Sequence, residues 1–148
     1  GWVGRNATSI EAVAASITAL VAVAALIGVK LQLDATETLA REQAAREAYR
    51  GHLALSVAYP DFADPSDSCS LLASDKGGSY AAFVDHILYS AELTVVTDAG
   101  WKNVFMAELA PHAPYLCGAD APQGDTVEMD ALLGEFRDLS CAVTTPCN

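Results

Sequence analysis

The most apolar stretch of this chain lies close to its N-terminus. The eighteen residues from Ala12 to Val29 carry no charged side chain, and Lys30 follows them directly. In a helix this stretch covers about 27 Å at about 1.5 Å per residue, which approaches the thickness of the hydrocarbon core of a bilayer. The pattern therefore predicts an N-terminal segment, residues 1–30, that contains one transmembrane helix.

Two other structures produce an apolar stretch of this kind, a secretory signal peptide and a buried helix of a soluble protein. A signal peptide has an apolar region of about 7–15 residues behind a basic segment, whereas this stretch is longer and only Arg5 precedes it. A retained membrane span is therefore favoured over both. Thr8 and Glu11 fit a capping box at its start, and Trp2 fits an interfacial anchor.

Small side chains recur within the predicted span. The pairs Ala15–Ala19 and Ala24–Gly28 are each four residues apart, so the members of a pair share one helix face. Small residues at this spacing let a second helix approach closely. We therefore expect the span to pack against larger integral membrane subunits as well as against the lipid bilayer.

Beyond the span the sequence predicts helices throughout. Residues 31–59 are rich in good helix formers, and their apolar positions recur at helical spacing until Pro60. Further helices are predicted over 79–96, 101–109 and 127–139. A loop is predicted over 60–70, and Pro111 and Pro114 are expected to end the helix over 101–109. The expected fold class is all-α, with a transmembrane helix that continues into a long amphipathic helix and a small helical bundle. The corresponding segments are residues 1–30, 31–59, 60–140 and a Cys-containing tail over 141–148.

The charge of the chain is strongly asymmetric. Among 148 residues there are 8 Lys and Arg against 19 Asp and Glu, a formal net charge of −11. Residues 51–148 hold fourteen of the acidic side chains and three of the basic ones. This balance argues against nucleic acid as a partner, because phosphates need clustered cations. It favours an acidic domain that meets a basic face of a protein partner.

The basic residues and the cysteines indicate opposite orientations of the span. Lys30, Arg41, Arg46 and Arg50 follow the span and outnumber Arg5 before it, which favours a cytoplasmic C-terminal domain.

The cysteines favour the periplasm instead, because an even number of cysteines is typical of disulfides and disulfides form in oxidising compartments. Four are present, Cys69, Cys117, Cys141 and Cys147, and the last two bracket a short tail that a disulfide could close. On balance the sequence favours a single-pass membrane protein with a cytoplasmic C-terminal domain.

No residue pattern predicts a reaction. The sequence lacks the H-E-x-x-H, C-x-x-C, G-x-S-x-G and phosphate-loop motifs, so we expect no catalytic residues, no cofactor and no metal. The histidines are expected to be hydrogen-bonded residues on helices. A metal site or enzyme that uses His86, Glu92 and His112 is the less favoured hypothesis.

Several motifs together resemble a known group of proteins. After the predicted span comes P-D-F-A-D-P over residues 60–65, and later Y-x-x-F-V-x-x-x-L-Y-x-x-E over 80–92 and L-x-x-H-x-x-Y-L over 109–116. With Trp101, this pattern resembles a broad group of uncharacterised bacterial single-pass inner-membrane proteins with a small helical domain. The resemblance covers residues 8–116, implies a domain on the cytoplasmic side and brings no established chemistry.

These features favour a non-catalytic accessory or structural subunit of a larger inner-membrane complex, with a respiratory or photosynthetic complex as a candidate host. The alternative is a membrane-tethered sensor that dimerises through residues 31–57. A pilin-like filament subunit is a weaker hypothesis, suggested by the apolar helix and the C-terminal cysteines.

Overall fold

A computed structural model describes residues 7–147, and side chains from Glu11 onward. Within this part of the chain all regular structure is helical, which confirms the all-α prediction. The Trp2 anchor and the Thr8 side chain of the capping box lie outside the described residues. The helices are α1 (Ala7–Ala58), α2 (Pro60–Ala63), α3 (Ser68–Leu72), α4 (Gly77–Val95), α5 (Trp101–Leu109), α6 (Ala113–Leu116) and α7 (Val127–Ser140), with a 3-10 turn over Ala110–His112.

Helix α1 contains the apolar stretch. By length and composition it can cross a membrane, since its most apolar 18-residue window has a mean hydropathy of 2.5 and none of that window is buried. The hydroxyl groups of Ser16 and Thr18 donate to the carbonyls of Ala12 and Ala14, at 2.8 and 2.9 Å. Both polar side chains are thereby satisfied within the helix, as lipid requires. A signal sequence meets the same length and composition criteria.

The chain divides into two compact units, and the second begins at Arg41. This unit, the domain from here on, includes the last part of α1, where Ala45 is 1% exposed and Tyr49 packs against the core. Helix α4 supplies the largest share of the core because its apolar residues recur every three or four positions. The buried core residues on α4, α5 and α7 are Tyr80, Phe83, Val84, Ile87, Leu88, Ala91, Phe105, Leu109, Met129, Leu132, Leu133 and Phe136.

The predicted loop over 60–70 is wrong in part, because it contains a short helix and the start of another. Pro60 occupies the first turn of α2, where its missing N–H costs no hydrogen bond. The carboxylate of Asp67 then caps α3 by accepting from the backbone N–H groups of Cys69 and Ser70, at 3.1 and 3.0 Å. Turn-forming residues therefore begin helices here rather than excluding them.

Helical structure also continues past the two prolines that were expected to end it. Pro111 lies in the 3-10 turn and Pro114 in the first turn of α6. Both positions tolerate proline because their backbone nitrogen would have no partner within the helix.

Two disulfides close the domain, and they differ from the predicted tail loop. Cys69 bonds to Cys147 and Cys117 bonds to Cys141, with Cα–Cα distances of 5.3 and 5.5 Å. A Cys141–Cys147 bond is therefore wrong. The tail instead lies along α6, where the backbone N–H of Cys147 donates to the carbonyl of Pro114 at 2.8 Å. This path brings Cys147 to α3.

Candidate functional site

The most unusual buried polar group in the domain is His52, on the last part of α1. Its side chain is 1% exposed. Its Nε2 atom lies 3.3 Å from a carboxylate oxygen of Glu108 on α5 and 3.5 Å from the hydroxyl of Ser56. Its Nδ1 atom has no hydrogen-bond partner among the described residues.

This arrangement resembles a serine–histidine–acid relay only in composition. A relay needs the serine and the acid on opposite nitrogens of the imidazole, so that one orients the ring while the other gives up its proton. Here Ser56 and Glu108 approach the same nitrogen, and the Ser56 hydroxyl donates to the backbone carbonyl of His52 at 3.0 Å. The group therefore joins α1 to α5, and its geometry does not activate a nucleophile.

His86, on α4, extends this polar group. Its ring stacks on that of His52, with a centroid distance of 6.3 Å and an interplanar angle of 24°. Its Nδ1 atom lies 3.4 Å from the hydroxyl of Ser90. Burial, and then the proximity of His52, lower the pKa of His86 below its usual range, so its ring is neutral near pH 7.

His112 is a separate buried histidine. It is 0% exposed, and its Nδ1 atom lies 2.8 Å from the hydroxyl of Tyr80. Burial is the main cause that lowers the pKa of His112 to about 4, and the proximity of His52 adds to it. The same burial raises the pKa of Tyr80. Tyr80 and His112 thus form a neutral hydrogen-bonded pair in the core.

The structure does not bring His86, Glu92 and His112 together as metal ligands. Among the described residues no group of three His, Cys, Asp or Glu side chains has the geometry to hold a metal ion. Glu92 instead borders an acidic groove with Asp85 and Asp125. Burial, and then the proximity of Asp125, raise the pKa of Asp85.

A cleft of about 620 Å³ opens beside His86, and we call it the His86 cleft. It lies between the end of α1, α2 and the first half of α4. Its volume falls within the range of about 300–1,000 Å³ that small-molecule sites occupy. Aromatic and aliphatic side chains form most of its lining, with a few polar groups among them. The aromatic lining residues are Tyr59, Phe62, Phe83 and His86, and the polar ones include Asp61, Lys76 and Ser79.

The predicted helix-packing residues lie on the apolar part of α1. Ala15, Ala19 and Ala24 are exposed, and a Cβ added at Gly28 would meet nothing within 4 Å. Ala15 and Ala24 are nine residues apart, which is two and a half turns of an α-helix. The two small-residue pairs therefore face opposite sides of the helix and do not form one stripe.

Sequence reasoning noticed His52 but not its setting. Glu108 lies 56 residues from His52 in sequence, so no local spacing could indicate the contact. The His86 cleft was missed for a similar reason. Its walls come from α1, α2 and α4, and the sequence predicted a loop where α2 lies. The one available signal was the cluster of Tyr59, Pro60 and Phe62 before an acidic loop.

Comparisons with protein families, with curated proteins and with solved structures found no match to this chain. The resemblance to bacterial single-pass proteins therefore stays an expectation from the sequence motifs.

Proposed function

We propose that this chain is a non-catalytic accessory subunit of a larger bacterial inner-membrane complex, anchored by α1 and contacting its partners with the acidic domain. The observation that carries the proposal is the uncovered apolar surface of α1. Its large apolar side chains between Val13 and Val29 are 52–71% exposed. Lipid or other membrane helices would have to cover this surface.

The positions of the small residues favour two protein neighbours. Ala15 and Ala19 leave a shallow face on one side of α1, and Ala24 and Gly28 leave another on the opposite side. A lone anchor in lipid gains nothing from shallow faces, whereas a helix held between two larger subunits can pack closely on both sides. A respiratory or photosynthetic complex is a candidate host.

The charges of the domain support a basic partner surface. Lys102 pairs with Glu135 at 2.9 Å, and Arg137 donates to the backbone carbonyls of Leu116 and Pro122 at 3.2 and 2.7 Å. Two of the three cations of residues 51–148 are thus engaged within the domain, while fourteen acidic side chains share the same stretch. A positive patch on a partner would be attracted to this domain and oriented by it.

We further propose that the domain lies on the periplasmic side, the alternative that the cysteines favoured. The support is that all four cysteines are paired, and such pairs persist in oxidising compartments. Alkylation of intact cells before reduction tests this proposal. The periplasmic side predicts that all four cysteines escape the reagent until they are reduced. Labelling of all four without reduction would place the domain in the cytoplasm.

Photo-crosslinking within the span tests the accessory-subunit proposal. A photoreactive amino acid at Ala15 or Ala24 should give protein adducts in native membranes, because each position faces a proposed neighbour. Ala25 is the matched control, since it has the same side chain at the same depth but lies about 100° around the helix from Ala24. Ala25 should give fewer adducts. An absence of protein adducts at Ala15 and Ala24 would overturn the proposal.

The same experiment distinguishes the accessory subunit from the alternative, a membrane-tethered sensor. The sensor requires self-association through residues 31–57. Two of the apolar positions in that range, Ala45 and Tyr49, already pack in the domain core. Leu31, Leu39, Leu53 and Val57 are left exposed for a dimer. Adducts between two copies of this chain would favour the sensor, and adducts to other proteins would favour the accessory subunit.

A further inference from the structure

The walls of the His86 cleft are aromatic. The rings of Tyr59 and Phe62 are stacked, with centroids 5.6 Å apart and an interplanar angle of 13°. The ring of Phe83 meets that of Phe62 edge to face at 6.1 Å. An aromatic guest can continue such a stack, and aromatic pairs gain stabilisation beyond their buried area. The cleft therefore suits a planar aromatic body.

The polar lining includes one cation, Lys76. Lys102 and Arg137 are engaged elsewhere in the domain, whereas Lys76 has neither an ion pair nor a side-chain hydrogen bond among the described residues. Its side chain lines the cleft together with the hydroxyl-bearing Ser79, three residues further along the chain. An ammonium group and a hydroxyl group together match a carboxylate.

The remaining polar groups limit the charge of the guest. Asp61 also lines the cleft, and its negative charge opposes a second anionic group on the ligand. His86 lines the cleft as a neutral ring near pH 7, because burial lowers its pKa. One negative charge is therefore favoured over two.

We propose that the His86 cleft binds an aromatic monocarboxylate, with the carboxylate held by Lys76 and Ser79 and the ring packed against Tyr59 at the open end of the Tyr59–Phe62 stack. This site is independent of the membrane-complex proposal, because all of its residues belong to the domain.

Titration of the full chain in lipid nanodiscs with 3-phenylpropanoate tests the site. Its alcohol and amine counterparts, 3-phenylpropanol and 3-phenylpropylamine, carry the same ring with a neutral or a positive end. Protein NMR spectra should show saturable shifts of the His86 and Ala82 signals with the carboxylate, and weaker binding of the other two. No saturable shift with the carboxylate, or equal binding of all three compounds, would overturn the proposal.

Three variants separate binding in the cleft from a general effect of charge. Lys76→Met keeps the aliphatic stem and removes the ammonium group, and it should weaken binding about fivefold at low ionic strength. Lys102→Met makes the same charge change outside the cleft and should leave the affinity unchanged. Ala82 is exposed and lines the cleft, so Ala82→Trp should obstruct part of it and weaken binding in a folded protein. Equal affinity of the Lys76 and Lys102 variants, or full binding by the Ala82 variant, would contradict the site.

Discussion

At the scale of single residues, His112 shows how burial couples a side chain to pH. Burial lowers its pKa from 6.5 to about 4, so the folded protein binds this proton more weakly than the unfolded chain does. The contribution of His112 to the free energy of unfolding therefore falls as the pH drops from about 6.5 to about 4, by about 3 kcal/mol. The contribution is complete above pH 6.5.

His112→Gln tests this dependence, because glutamine does not titrate and can still bond to Tyr80. The variant should be less stable than the wild type at pH 7 and should lose less stability on acidification. Urea unfolding of the full chain in nanodiscs, followed by the fluorescence of Trp101, measures both. Trp101 contacts Tyr49 with a ring distance of 4.8 Å, and Trp2→Phe in every protein leaves one reporter. Parallel pH profiles for the two proteins would contradict the role of His112.

Residue patterns predicted that the histidines lie on helices, but they could not indicate which of the histidines are buried. His52, His86 and His112 look alike in sequence, whereas the structure gives two of them full burial and leaves His86 beside a cleft. Burial depends on contacts between α1, α4 and α5, which are distant in sequence. The burial of each ring is therefore a property of the fold and not of its neighbours along the chain.

At the scale of helices, the contact between α3 and α4 depends on one glycine. A Cβ added at Gly77 would overlap the backbone carbonyl of Leu72, whereas a Cβ at Gly78 would meet nothing within 4 Å. Gly77→Ala should therefore cost about 2 kcal/mol or more of unfolding free energy. Gly78→Ala should stabilise by up to about 1 kcal/mol, because alanine favours the helix.

Urea unfolding of both variants under the conditions used for His112 measures this difference. The pair is well matched, since the two glycines are adjacent in the first turn of α4. Similar unfolding free energies for the two variants would show that α3 can shift away from α4 without cost.

Long helices were predictable because each has a sustained apolar period. The prediction over 101–109 matches α5, and the one over 127–139 ends one residue before α7 does. Helix α4 begins two residues earlier than predicted, because two glycines suggest a turn in sequence while close packing requires Gly77 inside the helix. The short helices α2 and α3 have too few residues to show a period, and the disulfide pairing depends on the path of the tail.

At the scale of the whole molecule, the main predictions came from the composition of the chain. The apolar stretch predicted a helix able to cross a membrane, and the structure has one such helix among the described residues. The acidic charge predicts, on electrostatic grounds, that nucleic acid is not a partner. Neither feature names a partner, since the accessory-subunit proposal depends on which proteins cover α1.

Gentle detergent extraction of native membranes, followed by native size separation and mass spectrometry, tests that proposal most directly. The account predicts that this chain migrates with a large complex at a fixed stoichiometry, and that the other subunits identify the process it serves. Migration of the chain alone, or as a small assembly of identical copies, would contradict the accessory-subunit account.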